Sequence, residues 1–395
     1  MRSARQAASS CAMSGVEAEH ENARRAARGE FAAWACPRCG GALAWTASSA
    51  TCTRCGAGGS LRSDGVYEFD ASDVYWGEID RELMRTINST ARERGWRQAL
   101  ESHLRPAHPD LVDYVDDASR ADWRVLLPLD RARTVVLDVG AGWGANSFGV
   151  AADVACVVAV EKIGERIDWI AARARGDGVE NLIPVRAELQ WLPFAPGSFD
   201  VVVANGVLEW AGLADPEPQA GRSASPGVLQ EQFLRRLEAL LRPGGWLYVG
   251  IENRFGRMFL MGAPDHQGLR FTSLMPKPVA SAYTAFRAIA SPRTHDIQRD
   301  YRTWIYSLSG YRRLLENCGF ADVRAYAAIP GYNRPSTLVP LDGSVGPMRW
   351  FRNHARPRPG VRPSARRAVA RALAATGLES WTTNEYALVA RRPAA

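Results

Sequence analysis

The stretch that decides the fold runs from Thr134 to Gly144, TVVLDVGAGWG. Its opening, Thr134–Val139, is a short apolar run rich in β-branched side chains, the composition of a strand buried on both faces of a parallel sheet. It passes directly into Gly140-Ala141-Gly142-Trp143-Gly144, and Ala145-Asn146-Ser147 then opens an apolar, helix-like stretch. Glycines between a strand and a helix let the backbone approach a ligand where a Cβ would collide. Dinucleotide-binding proteins in general share such a loop, so the residues that follow it carry the decision.

Val154–Val160 (VACVVAV) reads as the second strand and ends at Glu161 and Lys162. An acid about twenty residues past the loop is placed to accept hydrogen bonds from both hydroxyls of a ribose. The third strand, Leu182–Arg186, leads to Ala187-Glu188-Leu189, where a carboxylate can reach an adenine amino group. Leu192-Pro193-Phe194 and Gly197-Ser198-Phe199-Asp200 precede a fourth strand, Val201–Ala204, which ends at Asn205. A helix at about Val228–Leu241 ends in Arg242-Pro243-Gly244-Gly245, and Trp246–Ile251 predicts a fifth strand. Further on, Tyr311–Asn317 predicts a helix, Val323–Ile329 a strand, and Glu385–Arg391 a last strand, antiparallel at the sheet edge.

Over roughly 120 residues, Val135 to Glu252, this order of parts resembles the class I, Rossmann-like S-adenosylmethionine-dependent methyltransferases. The matching elements are VLDVGAGWG, the acid after strand two, LPF…GSFDVVV, and LLRPGG before strand five. A nicotinamide-dinucleotide enzyme is the alternative; the Asp138-x-Gly-x-Gly-x-Gly form and the LRPGG turn count against it. The resemblance implies an α/β fold with a seven-stranded sheet flanked by helices, and S-adenosyl-L-methionine as cofactor. It implies that Gly140, Ala141, Gly142 and Gly144 pass under the methionine part. Asp138 would order the loop or meet the amino group through water. Glu161, with Lys162 beside it, would bind the ribose, Glu188 and Leu189 would frame the adenine, and Asn205 would line the cleft where the methyl points. Relatives of the quinone-methylating type often have Leu-His after strand four. Here the equivalent is Leu208-Glu209-Trp210, so a histidine base is absent at that place.

Four of the seven cysteines form two tight pairs, Cys36-Pro-Arg-Cys39-Gly40 and Cys52-Thr-Arg-Cys55-Gly56. A Cys-x-x-Cys turn brings two thiolates to one ion, and the following glycine permits the left-handed turn that aims N–H groups at sulfur. The intervening residues suffice for a β-hairpin, which predicts a tetrathiolate Zn(2+) site on Cys36, Cys39, Cys52 and Cys55. Two disulfides are the alternative, although nothing indicates an oxidising compartment. A four-cysteine site has no open position, so its zinc is structural. The stretch CPRCGGALAW…TCTRCG…DGVYEFD resembles the zinc ribbon of tRNA-methyltransferase activator subunits and of some ribosomal RNA guanine methyltransferases.

The 395 residues suffice for one large domain with appendages, and 46% hydrophobic with 23% charged residues is ordinary globular composition. No run of about 18 uncharged apolar residues predicts a membrane span. Residues 1–30 lack the apolar centre of a signal peptide and read as a loose or frayed lead, and the expected compartment is the cytoplasm. The expected organisation is a ribbon at 31–70, a helical capping segment at 71–130, and a methyltransferase domain at 131–395 with insertions at 252–306 and 330–380. The last insertion opens Pro-Gly-Tyr-Asn-Arg-Pro, which predicts a loop before any helix. The net charge of +7 is concentrated between Arg349 and Arg371, which holds eight arginines and no acid. That segment is either a phosphate-binding patch or a solvated Arg-rich surface.

Ligands in open α/β sheets bind beyond the C-terminal strand ends, so residues 74–130 and 252–306 are the natural lid and substrate wall. Methyl transfer needs alignment of the acceptor, exclusion of water, and a base where the acceptor is O–H or N–H. The candidates are His266 (in Pro-Asp-His-Gln, with Asp265 as a possible acid–base partner), Glu252 and Glu209. Against these chemical roles, His266 reads as an ordinary loop histidine, and Arg254 either holds an anion or satisfies loop carbonyls. The long aromatic insertions favour a small-molecule acceptor: a natural product, a sugar or a phosphorylated intermediate. RNA, gripped by the ribbon and the arginine segment, is the alternative, with no Asn-Pro-Pro-Tyr motif to support it. A non-catalytic cofactor-binding scaffold is the third reading.

Overall fold

In the computed structural model, which describes residues 33–69, 72–213, 224–290, 301–354, 376 and 378–394, the decisive stretch forms β5 (Val135–Val139), buried at every position. Gly140 and Ala141 both donate their N–H groups to the Val160 carbonyl at 2.9 Å, which ties the glycine loop to the next strand. Gly142 and Gly144 hold φ of 56° and 79°, where a side chain is strained. A Cβ at Gly144 would also sit 2.9 Å from the Phe148 ring, so the loop turns there only with glycine. The helix Ala145–Ala151 follows.

The chain divides into two compact units, Met1–Val203 with Ala239–Trp246, and Ala204–Glu238 with Leu247–Ala395. In the first unit the strand order is β1-β2-β3-β4-β7-β6-β5-β8. β5 pairs in parallel with β6 (Cys156–Glu161) and β8 (Phe199–Asn205), and β6 with β7 (Leu182–Arg186). Continuous burial of these strands fits a parallel sheet covered on both faces. The cysteine-bearing segment builds β1 (Leu43–Trp45), β2 (Ser49–Cys52), β3 (Gly58–Leu61) and β4 (Tyr67–Phe69), each antiparallel to the next. β4 then adds in parallel to β7 through Tyr67↔Val185 and Glu68↔Arg186. Trp34 fastens the junction, its ring centroid 4.5 Å from that of Tyr67 and 5.2 Å from that of Phe194.

Residues 74–130 are helical as the periodicity predicts, with helices at Arg81–Arg94, Trp96–Ala99 and Pro109–Val115 and helical turns at Leu100–Leu104 and Ala118–Leu126. Asp80 caps the first by accepting from Leu83 N. Trp96 and Trp123 are core residues, whereas Trp76 is exposed.

In the second unit the order is β9-β12-β10-β11, with β9 at Leu241–Glu252, β10 at Ala321–Ile329, β11 at Thr337–Pro340 and β12 at Glu385–Arg391. Among the described residues the two units thus hold twelve strands, where seven were expected. Four of the extra ones come from the ribbon and one from the 330–380 insertion, where β11 pairs antiparallel with β10 before the helix Gly346–His354. β12 is antiparallel to β10 as expected, but it lies between β9 and β10 and not at an edge. Its five central residues are all buried, the run expected of an interior strand. The arginine segment falls outside the described residues beyond its first members, and so does the 1–30 lead.

Candidate active site

In the first unit the sequence-predicted cofactor residues converge on the end of β5. Glu161 Oε2 accepts from Gly142 N at 2.9 Å, and its Oε1 accepts from Lys162 N and Ile163 N at 2.8 and 2.9 Å. One carboxylate thus fixes both the glycine loop and the start of the following helix. Asp138 is buried and takes the Ser147 hydroxyl at 2.5 Å; burial pushes its pKa up to about 6, against that hydrogen bond. Glu188 accepts from Ser72 N and Oγ at 3.0 and 2.6 Å and pairs with Lys162 at 3.4 Å. Burial opposes its charge, yet the Ser72 hydrogen bonds and the Lys162 charge hold it below the usual carboxylate range. Leu189 beside it is half-buried and Ala141 is buried.

The residues fit an adenosyl amino acid. A Cβ on Gly142 would meet nothing nearer than Arg166 Nη1 at 4.0 Å, so the loop backbone faces open space. Glu161 holds the loop there through Gly142 N, and Arg166 is the nearest side chain to that space. Sequence reading missed Ser72 and Glu78. Glu78 Oε2 accepts from Trp143 Nε1 at 3.1 Å and from Arg166 at 2.6 Å, and this joins the lead-in of the first capping helix to the glycine loop. Acids preceding an Asp80 cap gave no signal beyond an ordinary helix start.

Replacing Glu161 by Ala leaves three N–H groups without their acceptor. The expected result is a loss of about 1–3 kcal/mol in cofactor binding, about five- to 150-fold in Kd, read by calorimetric titration with S-adenosylhomocysteine. Unchanged affinity would remove Glu161 from the site.

The second unit brings together Glu209, Glu252 and His266. His266 Nε2 lies 3.3 Å from Glu252 Oε2 and 3.9 Å from Glu209 Oε1. Glu209 is fully buried, Glu252 nearly so, and His266 is the side chain that reaches toward solvent. Tyr332 donates to Glu252 Oε1 at 2.9 Å, Tyr311 to the Glu252 carbonyl at 3.0 Å, and the Trp210 ring centre stands 4.8 Å from that of His266. Burial opposes charge on His266, but the Glu252 carboxylate 3.3 Å away, helped by Glu209 and Asp265, pushes its pKa up to about 9. Burial, then repulsion from Glu252, pushes Glu209 up to about 8, and the same two causes raise Glu385 to about 7.

His266 thus meets Glu252, not Asp265. The Asp265 carboxylate accepts from Gln267 N, Leu269 N and the Thr272 hydroxyl, and so shapes the loop that presents the imidazole. Arg254 donates to the Leu274 and Met275 carbonyls. Tyr332 and Glu385, whose carboxylate accepts from Tyr332 N at 2.7 Å, were not singled out in the sequence, since each lies far along the chain from its partners.

Asn205, at the end of β8, is buried with neither side-chain polar atom hydrogen-bonded. A Cβ at Gly250 would fall 2.0 Å from Asn205 Oδ1 and 2.9 Å from the Tyr332 ring. Gly250→Ala is expected to cost about 1–3 kcal/mol of stability by overpacking, read from the urea midpoint. No change would mean that Asn205 swings aside freely.

Four sulfurs converge in the ribbon. Cys36 and Cys55, and likewise Cys39 and Cys52, lie 3.5 Å apart, and all four atoms fall within 4.8 Å of one another. A disulfide would need about 2.05 Å, whereas zinc with bonds of about 2.3 Å separates its sulfurs by roughly 3.8 Å. The set is compatible with zinc and not with two disulfides.

Residues 137–249 match the family model described as a methyltransferase domain. No curated protein matches the sequence. Among solved structures, an exported protein of Bordetella parapertussis, described as possible, is similar at 16% identity, covering 70% of this chain and 66% of that one, with a TM-score of 0.38. Phosphoethanolamine N-methyltransferase 2 of Haemonchus contortus, with S-adenosyl-L-methionine, is similar at 12% identity, over 78% of this chain and 60% of that one, TM-score 0.40. A Bacillus halodurans protein described as a putative methyltransferase is similar at 14% identity, over 70% and 100% of the two chains, TM-score 0.37. The chain spans somewhat under two thirds of the length of the first two. What the family match shows is a methyltransferase domain over residues 137–249 of this chain.

Proposed function

We propose that this chain transfers the methyl group of S-adenosylmethionine to a small-molecule acceptor, a natural product, a sugar or a phosphorylated intermediate. The observation that carries the reading is the buried Glu209–Glu252–His266 cluster, closed by Tyr332 and by the 252–306 insertion. The bound cofactor supplies a sulfonium methyl with a good leaving group. The chain's own share is to order the glycine loop through Glu161, to frame the adenine with Glu188 and Leu189, and to line the methyl's path with Asn205. The imidazole and carboxylates of the cluster receive the acceptor, exclude water and take its proton. In the same reading the ribbon (31–70) holds a structural zinc, 71–130 caps the cofactor, and 131–395 is the methyltransferase domain.

Against RNA as acceptor, two of the described arginines are already engaged: Arg352 with the buried Glu379, and Arg62 with Asp64 and Asp168. Among the described residues no helix is long and apolar enough to cross a membrane.

The test is methyl transfer from labelled S-adenosylmethionine into extract of the source organism, split into RNA and low-molecular-mass fractions. Label in the small-molecule fraction supports the reading. Label confined to RNA overturns it and makes the ribbon and the arginine segment the recognition apparatus.

A further inference from the structure

Four polar atoms face one point in the second unit: Glu209 Oε1 and Oε2, Glu252 Oε2 and His266 Nε2. None of them makes a hydrogen bond of good geometry, although Glu209 is fully buried. Buried carboxylates are ordinarily satisfied by donors, and here Trp210 turns a side-chain donor toward Glu209 while the tyrosine hydroxyls and the Asn253 amide go elsewhere. Tyr332 OH goes to the other Glu252 oxygen, Tyr311 OH to the Glu252 carbonyl, and the Asn253 amide to the Trp381 and Thr383 carbonyls.

The spacing says what is missing. Around a centre with ligand distances of about 2.1 Å, separations of 3.3 and 3.9 Å subtend roughly 105° and 135°, within the range of three ligands on a metal ion. Around an ammonium nitrogen, at about 2.8 Å, they would subtend only roughly 70° and 90°, too acute for its tetrahedral hydrogens. We infer that Glu209, Glu252 and His266 bind one divalent first-row metal ion, and that this ion holds the acceptor by an oxygen. Two carboxylates and an imidazole are the donors such ions take, and three protein ligands leave positions open. Tyr332 then acts from outside the ligand set, fixing the Glu252 carboxylate through its other oxygen.

The inference rests on the proposal that this cluster receives the acceptor, and it narrows the acceptor's chemistry. An amine on the ion has its single lone pair engaged and cannot attack the methyl carbon. A hydroxyl oxygen keeps a further pair, and coordination makes its proton easier to lose. The O–H proton passes to the free Glu209 oxygen and an oxygen lone pair forms the new C–O bond. The S–CH₃ bond breaks with its electrons left on sulfur, giving S-adenosylhomocysteine and a methyl ether or ester.

The test is titration of the full chain, its cysteine site zinc-loaded, with Mn²⁺ alone, free Mn²⁺ being read by electron paramagnetic resonance. Mn²⁺ is a poor ion for a closed thiolate site, so the ribbon does not interfere. One Mn²⁺ per chain is expected. Glu209→Gln and His266→Gln should each weaken it at least about tenfold, with S-adenosylhomocysteine affinity unchanged as proof that the variants fold. No stoichiometric binding at millimolar Mn²⁺, or binding that both variants retain, overturns the metal site. An N-methylated product in the extract assay overturns the oxygen acceptor. Small-molecule label without Mn²⁺ binding defeats this inference but leaves the proposed function standing; Mn²⁺ binding with label only in RNA does the reverse.

Discussion

Removing zinc from the four-cysteine site, or replacing Cys52 by serine, is expected to unfold residues 34–69 as a unit while the strands from β5 onward stay folded. Apparent zinc binding energy at such sites is about 10–16 kcal/mol and is also folding energy. The ribbon's four strands are only three or four residues long, so apart from the Trp34 aromatic contacts and the β4–β7 pairing little else holds it. Hydrogen exchange should show loss of protection from Leu43 to Phe69. The damage should reach the cofactor site: β4 is hydrogen-bonded to β7, Glu68 pairs with Arg186 at 2.5 Å, and Ser72 just beyond holds Glu188. Affinity for S-adenosylhomocysteine is therefore expected to fall with the metal. Protected ribbon amides in the metal-free, reduced chain would sink the zinc reading.

His266→Gln is expected to lower methyl transfer by about 10²–10⁴-fold while leaving S-adenosylhomocysteine affinity unchanged. Gln keeps the volume and a polar tip but loses the imidazole's approach to Glu252 and Glu209. Tyr332→Phe removes only the hydroxyl that orients Glu252, so a smaller loss, about tenfold, is expected, and it should fall on kcat more than on KM. Equal losses in the two variants would make the imidazole a mere packing element. Full activity in His266→Gln would move the chemistry elsewhere.

The glycine loop and its hydrogen bond to Glu161 were legible because their signals are local. A β-branched run meeting three glycines fixes a strand, a left-handed turn and a helix within a few residues, and Glu161 follows at the end of the next strand. The four cysteines were legible for the same reason. What escaped depends on partners far apart in the chain. Nothing in Tyr67-Glu68-Phe69 announces a parallel partner at Val185, since one face of aromatics fits many neighbours. Tyr332 sits in a Pro-Gly-Tyr-Asn turn, where it reads as loop, and only the fold puts its hydroxyl on Glu252, eighty residues earlier. Asp265 was misread as the partner of His266 because adjacency in sequence suggested it, whereas its carboxylate is used up by its own turn. β12 was set at an edge although its uninterrupted apolar run, Tyr386–Ala390, already described a strand covered on both faces.

The ribbon also acts as a selvage. By laying β4 along β7, through Tyr67↔Val185 and Glu68↔Arg186, it covers the end of that strand's outer edge. If the four cysteines hold the zinc proposed above, its loss would open that edge to any extended chain, including a second copy of this one. Metal supply would then decide whether this protein stays dispersed or clumps through strand-to-strand templating, with turbidity appearing before any loss of the central strands.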